Sequence, residues 1–330
     1  MNSLIQRLNA TLGADMAGPL FALVAVLVIF GIGADNFFSA ATFGSVAFQL
    51  PELGLLTLAM LLPLLTGGIN LAVTFTANLA GLAAAWVLQA HGGADASGGA
   101  CALAAVAALA TGGLAGMMTG VLIAYTRAHP ILVTLSMMIF LRGLGEFLTR
   151  GGDVSGFPAF IATIGHGSLL GLPVPLLIFL ACVGLWHLLL TRFKLGFGLL
   201  MIGSNIEAAR YSGLDTRRIL VLVYTLSGLM CAVAGLIMLA RFNSVRVGHG
   251  ESYLLITVLA AFLGGINPFG GFGRVLPVFV ALIVLQLLSS GLNLMGANQH
   301  LATALWGVLM VVVMAARTIS TSFAKSRKKT

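Results

Sequence analysis

Apolar stretches of roughly twenty residues recur along this chain, each closed by a charge, a glycine cluster or a turn signal. That is the length an α-helix needs to cross about 30 Å of hydrocarbon. The pattern predicts ten spans, over residues 18–35, 45–66, 71–89, 99–126, 131–149, 168–190, 217–241, 252–266, 272–294 and 299–316, the eighth being short. The longest polar interruption runs from Thr191 to Thr216. Its stretch Glu207-Ala208-Ala209-Arg210 favours helix, and Gly213 is placed to end that helix. A short amphipathic helix there reads as a docking surface for a soluble partner or as an ordinary connection.

One tetrapeptide occurs twice. Gly67-Gly68-Ile69-Asn70 closes GLLTLAMLLPLLTGGIN, and Gly264-Gly265-Ile266-Asn267 closes SYLLITVLAAFLGGIN. Apolar runs follow both copies, so the spans are expected to contain an internal repeat, as transport folds do. Paired glycines let a helix break or another backbone approach closely. Backbone groups freed by such a break must be satisfied by protein or by a water-filled cavity. The asparagine supplies both a donor and an acceptor there. The other reading is a glycine-rich helix end with an asparagine cap. The short eighth span followed by GGINPFGGFG predicts an interrupted helix pair.

Composition removes the soluble alternatives. Of 330 residues, 59% are hydrophobic and 8% charged, against about 25% charged in soluble domains. The net charge of +8 follows orientation and does not indicate nucleic-acid binding. With the N-terminus inside, the inner segments hold Arg7, Arg127, Arg192, Lys194, Arg210, Arg217, Arg218, Arg274, Arg317, Lys325, Arg327, Lys328 and Lys329. The outer segments hold Arg150, Arg241 and Arg246, and Arg142 falls within a span. This asymmetry predicts a multi-pass membrane protein with both termini cytoplasmic. It is expected to form one transmembrane domain over residues 1–330, with 318–330 as a basic tail. The first apolar run reads as a retained helix. Cys101, Cys182 and Cys231 all lie inside apolar runs without metal-ligand spacing.

Few polar groups enter the spans. Arg142 and Glu146, four apart, share a helix face and are expected to pair. The pair reads as a gate or, more plainly, as a structural ion pair near the outer interface. His187 beside Trp186 reads as a structural histidine, and Glu52 after Pro51 has no second acid for a proton relay, which argues against a proton-coupled carrier. Asn78, Asn243, Gln286 and Asn293 suit either the path of a polyhydroxyl solute or helix–helix hydrogen bonds. The pathway candidates are therefore Gly67, Gly68, Asn70, Asn78, Gly264, Gly265, Asn267 and Asn293. No GxxxxGK[ST] loop, nucleophile–base set or metal site is present, so the chain is not expected to be an enzyme.

Four segments, in order, carry a family resemblance: LTGGINLAVTFTANLAGLAAA, RAHPILVTLSMMIFLRGL, FKLGFGLLMIGSNIEAARYSGL and FLGGINPFGGFGRVLPVFVALIVLQLLSSGLNLMG. From about Leu53 to Ala316 the chain resembles the permease subunits of bacterial ABC sugar importers, the ribose/xylose/arabinose-type branch. The resemblance implies two such permeases, identical or paralogous, around one pathway in the bacterial inner membrane. Two cytoplasmic ATPase subunits would drive them, holding the ATP and magnesium, and a periplasmic binding protein would deliver a monosaccharide or polyol. This chain itself would bind no cofactor. The coupling loop would comprise Gly203, Asn205, Glu207, Ala208, Ala209, Arg210, Ser212 and Gly213. Asn70, Leu254 and Ile256 stand where the family usually has carboxylates, so the resemblance leaves the substrate open among pentoses, hexoses, sugar alcohols and furanone-type signalling sugars. A secondary sugar transporter is the alternative that the spans and the repeat alone allow.

Overall fold

The computed structural model describes residues 16–126, 128–169 and 171–326. Arg7, Arg127, Arg327, Lys328 and Lys329 of the charge asymmetry lie outside these. The fold is all-α: α1 Ala17–Gly33, α2 Ala40–Leu65, α3 Val73–Ala90, α4 Gly98–Thr126, α5 Pro130–Thr149, α6 Ala159–His166, α7 Val174–Arg192, α8 Lys194–Ser204, α9 Ile206–Tyr211, α10 Thr216–Phe242, α11 Tyr253–Leu263, α12 Val275–Leu294 and α13 Gln299–Ser326. Among the described residues, the two-residue strands β1 Val154–Ser155, β2 Ser168–Leu169, β3 Leu172–Pro173 and β4 Ser244–Val245 pair antiparallel as β1–β4 and β2–β3.

Among the described residues, seven helices, α2, α3, α4, α5, α7, α10 and α12, are long and apolar enough to cross a membrane. With the 17-residue α1, the apolar run Leu301–Val313 of α13 and the short α11, they account for the ten expected stretches. The chain is a multi-pass integral membrane protein. The 11 residues of α11 rise only about 16 Å, half the hydrocarbon depth. It is followed by the irregular segment before α12, and the two form the interrupted pair expected from the sequence.

Two expectations shift. The sixth stretch begins at Val174, because Ser168–Leu169 pairs antiparallel with Leu172–Pro173, with Gly171 left-handed at φ +80°. The polar interruption is also more ordered than a loop: α8 and α9 fill most of it, divided at Asn205.

The packing has a clear centre. The most apolar window of α2 is 89% buried, and α7, α10, α11 and α12 surround the helix. Trp186 of α7 is 3% exposed and donates its indole N–H to the Leu58 carbonyl of α2 at 3.1 Å. Along α4, Gly112, Gly116 and Gly120 form a stripe against α10, where a Cβ would strike the Gly228 and Tyr224 carbonyls and the Val221 backbone. Small residues let these helices touch backbone to backbone, the packing that works where lipid is as apolar as the side chains. Large apolar side chains such as Phe21, Ile29, Leu132, Ile139 and Phe147 point outward, which suits a hydrocarbon environment.

Candidate functional site

One end of the bundle carries Arg192, Lys194, Arg210, Arg217, Arg218 and Arg274 and is termed the basic end. Here α9 is built by its own caps. The Asn205 side chain accepts from the Glu207 and Ala208 N–H groups, both at 3.0 Å. At the other terminus Gly213 is left-handed at φ +83°, and its N–H and that of Leu214 donate to the Arg210 and Ala209 carbonyls. This satisfies the last turn of a six-residue helix that propensity alone would not hold. Ala209 is fully buried, whereas Ile206 and Tyr211 are 44% and 89% exposed. Glu207 and Arg210 pair across one turn at 3.7 Å, and Ser212 bonds back to the Ala208 carbonyl. A cleft of about 910 Å³ separates α9 from the ends of α2, α4, α5 and α10.

Gly203, the penultimate residue of α8, meets both glycine breaks. A Cβ on Gly203 would strike the Leu65 carbonyl and the Gly271 amide. Gly271 N–H donates to the Leu65 carbonyl at 2.9 Å, and Gly270, at φ +83°, lies against the Gly67 amide. Three main chains, from the ends of α2 and α8 and from the segment after α11, thus meet with no side chain between them.

Both tetrapeptides end helices by the same motif, but not at the same residue. Below α2, Gly67 is left-handed at φ +82°, and Gly68 N–H reaches back to the Pro63 carbonyl at 3.0 Å. Below α11 the left-handed residue is Gly265 at φ +92°, and Ile266 N–H reaches the Ala261 carbonyl at 3.0 Å; Gly264 is the C-cap, packed on Val278. The asparagines do correspond. The side-chain carbonyl of Asn70 accepts from Ala72 N–H and that of Asn267 from Phe269 N–H, each at 3.1 Å. Their amides diverge. Asn70 donates to Ser227 of α10 at 3.0 Å, whereas Asn267 donates to the Gly270 carbonyl at 2.9 Å. Asn70 is 4% exposed, and Thr134 of α5 donates to the neighbouring Ile69 carbonyl at 2.8 Å. The freed backbone is satisfied by protein.

The opposite end holds a second set of charges. Arg142 Nε lies 2.9 Å from Glu146 and its Nη1 lies 3.0 Å from Glu251, with the guanidinium over the Phe75 ring. Both partners are about half exposed. Deeper, Glu52 of α2 is buried and lies 2.6 Å from Arg241 of α10, while Tyr253 donates to its other oxygen at 3.3 Å. The sequence shows Glu52 without a second acid for a proton relay and Arg241 among the outer basic residues, and does not join the two. The signal that could have joined them is the cost of an unpaired carboxylate at that depth. His249, in the loop after β4, is held below its ordinary imidazole value by burial and by Arg246, against the pull of Asp153. Asn78 is buried with its amide N–H₂ unpaired. Asn243 caps α10 and accepts from Phe157 N–H at 3.2 Å. Gln286 donates to Gln49 at 2.9 Å, and Asn293 lies one turn beyond Ser289 on the same helix, beside a cavity with them. Among the described residues, no group of three or more His, Cys, Asp or Glu is placed to hold a metal.

Residues 42–314 match the family described as branched-chain amino acid transport system / permease component. Among curated proteins, the autoinducer 2 import system permease protein LsrD of Yersinia enterocolitica is 33% identical over 274 residues, covering 81% of each chain. The proteins of the same name from Yersinia pseudotuberculosis and Yersinia pestis are 31% identical over 274 residues, covering 81% of this chain and 80% of theirs. No solved structure matches. With a family match that takes in both glycine breaks, α8, α9 and the buried ion pair, this chain belongs to the branched-chain amino acid transport system permease family.

Proposed function

We propose that this chain is the transmembrane subunit of an ATP-driven importer for a small sugar-like solute, with both termini and the basic end in the cytoplasm. A second permease, identical or paralogous, completes the pathway. Two ATPase subunits carry the ATP and magnesium, no cofactor being bound by this chain, and a periplasmic binding protein delivers the solute. The carrying observation is the Gly203 junction. The exposed α9, with Tyr211 and Ile206 outward, is continuous through α8 with both helix breaks. A subunit that pushes on α9 therefore moves the main chain of α2 and of the segment after α11, without slack from intervening side chains. Import of autoinducer 2 by the relatives favours the furanone-type sugar over a simple pentose.

The test is Glu207→Trp, on the exposed face of α9, in cells that carry the whole import system. Uptake is expected to fall at least tenfold, with membrane insertion intact and ATP hydrolysis no longer stimulated by the binding protein. Normal uptake would remove α9 as the coupling element. Uptake that survives ATP depletion but collapses with an uncoupler would make the chain a secondary transporter.

A further inference from the structure

The cavity at the end opposite α9 is built for an uncharged solute. It measures about 370 Å³ and lies between α2, the start of α11, α12 and α13, within the usual range for small-molecule pockets of about 300–1,000 Å³. Gln286, Ser289 and Asn293 stand at i, i+3 and i+7 on α12, one polar face of a transmembrane helix whose other residues, Ser290 apart, are apolar. Gln286 is 6% exposed and bonded to Gln49 across 237 positions of sequence. That bond uses one Gln286 N–H and the Gln49 carbonyl, which leaves the Gln286 carbonyl and the Gln49 N–H₂ free to serve a ligand. Ser289 and Asn293 make no side-chain hydrogen bond among the described residues. The Trp306 ring lines the facing wall on α13, and Tyr253 the wall on α11.

The charges around it are already committed. The one carboxylate of the lining, Glu251, is paired with Arg142, and the Tyr253 hydroxyl is given to Glu52. No cation lines the cavity among the described residues, so a carboxylate or phosphate brought here would lose its hydration without a partner. Neutral amides and hydroxyls facing an indole suit a hydroxylated ring, its edge hydrogen-bonded and its apolar face against the aromatic.

The geometry points to this cavity as the solute-selecting site of the permease, taking neutral polyhydroxylated molecules and refusing amino acids and phosphorylated sugars. The assignment rests on the importer reading above.

The test is radiolabelled uptake by cells carrying the complete import system. The panel sets ribose, xylose, xylitol and autoinducer 2 against ribose 5-phosphate, ribonate and leucine. At least one neutral solute is expected to enter and the charged ones to be excluded. Gln286→Leu and Asn293→Ala should each raise KM about three- to tenfold at an unchanged maximal rate, the loss of one hydrogen bond to the solute. Should Gln286→Leu fail to reach the membrane, Ser289→Ala and Asn293→Ala carry the same measurement. Leucine or a sugar phosphate entering as readily as the neutral solutes overturns the assignment. So does a KM unmoved in the variants, or a wild type that admits none of the neutral solutes. ATP-independent uptake with the KM shifts retained would sink the importer reading and leave the cavity standing.

Discussion

The buried carboxylate of Glu52 shows how much one residue can commit a membrane protein. It is enclosed by α2, α10 and the first residue of α11, and both of its oxygens are engaged, one by Arg241 and the other by Tyr253. Removing one charge strands the other in a medium that solvates it poorly. Arg241→Ala is expected to cost about 3–5 kcal/mol, read as a large fall in the thermal midpoint of the detergent-purified chain. The double variant Glu52→Leu with Arg241→Met should recover most of that loss, since it strands nothing; a double variant as unstable as the single would mean that the pair contributes net stability. His249 gives a pH-dependent counterpart. Burial and Arg246 depress its imidazole, so as the pH falls through the ordinary value of 6.5 the unfolded chain takes up the proton first. Stability is therefore expected to fall from there downward and to be regained above it. His249→Gln should flatten the thermal midpoint between pH 7.5 and 5.5 relative to wild type, and identical pH profiles would remove His249 as the cause.

At the scale of elements, the spans were legible because apolar length is a strong signal, and α9 because Glu207–Arg210 followed by Gly213 is a local instruction. What escaped the sequence was whatever depends on two distant segments. Glu52 with Arg241, Asn70 with Ser227, and Glu251 with Arg142 are each more than 100 residues apart. Nothing local to either member names the other. The start of α7 was misplaced for a different reason: Ser168–Pro173 is apolar enough to extend a span, and only the Gly171 turn and Pro173 stop it. The candidate site was half legible. Its glycines were flagged, but the meeting of Gly203 with Leu65 and Gly271 was not, because a glycine's sequence does not reveal what approaches it. That meeting makes a prediction about elements rather than residues. Gly203→Ala puts a methyl group where main chain now sits, an overpacking worth about 1–3 kcal/mol. Uptake is expected to drop at least tenfold, with the protein still inserted and the partner ATPase still active. Wild-type uptake in that variant would show that the three segments move independently.

Across the whole molecule, polarity is concentrated at the two ends and joined by one buried helix. The neutral cavity and the Glu52–Arg241 pair lie toward one end of α2, and the glycine junction lies at the other. Residues from Gln49 to Leu65 therefore connect the two over about 24 Å of rise, with α2 almost wholly enclosed between them. Helix α11 shares this arrangement. Its start carries Tyr253 and adjoins Glu251, and the segment after its end carries Gly270 and Gly271. Helices α2 and α11 thus run side by side between the glycine junction and the cavity.

The one-residue offset between the two helix stops has a practical consequence for engineering. Aligned by letters, Gly67 corresponds to Gly264; aligned by backbone, it corresponds to Gly265. One residue of α-helix is a turn of about 100°, so side chains above the two breaks that share an alignment column face different neighbours. A substitution transplanted from one half to the other by sequence would land on the wrong face of its helix, and chimeras of the two halves should be spliced on the left-handed glycine instead.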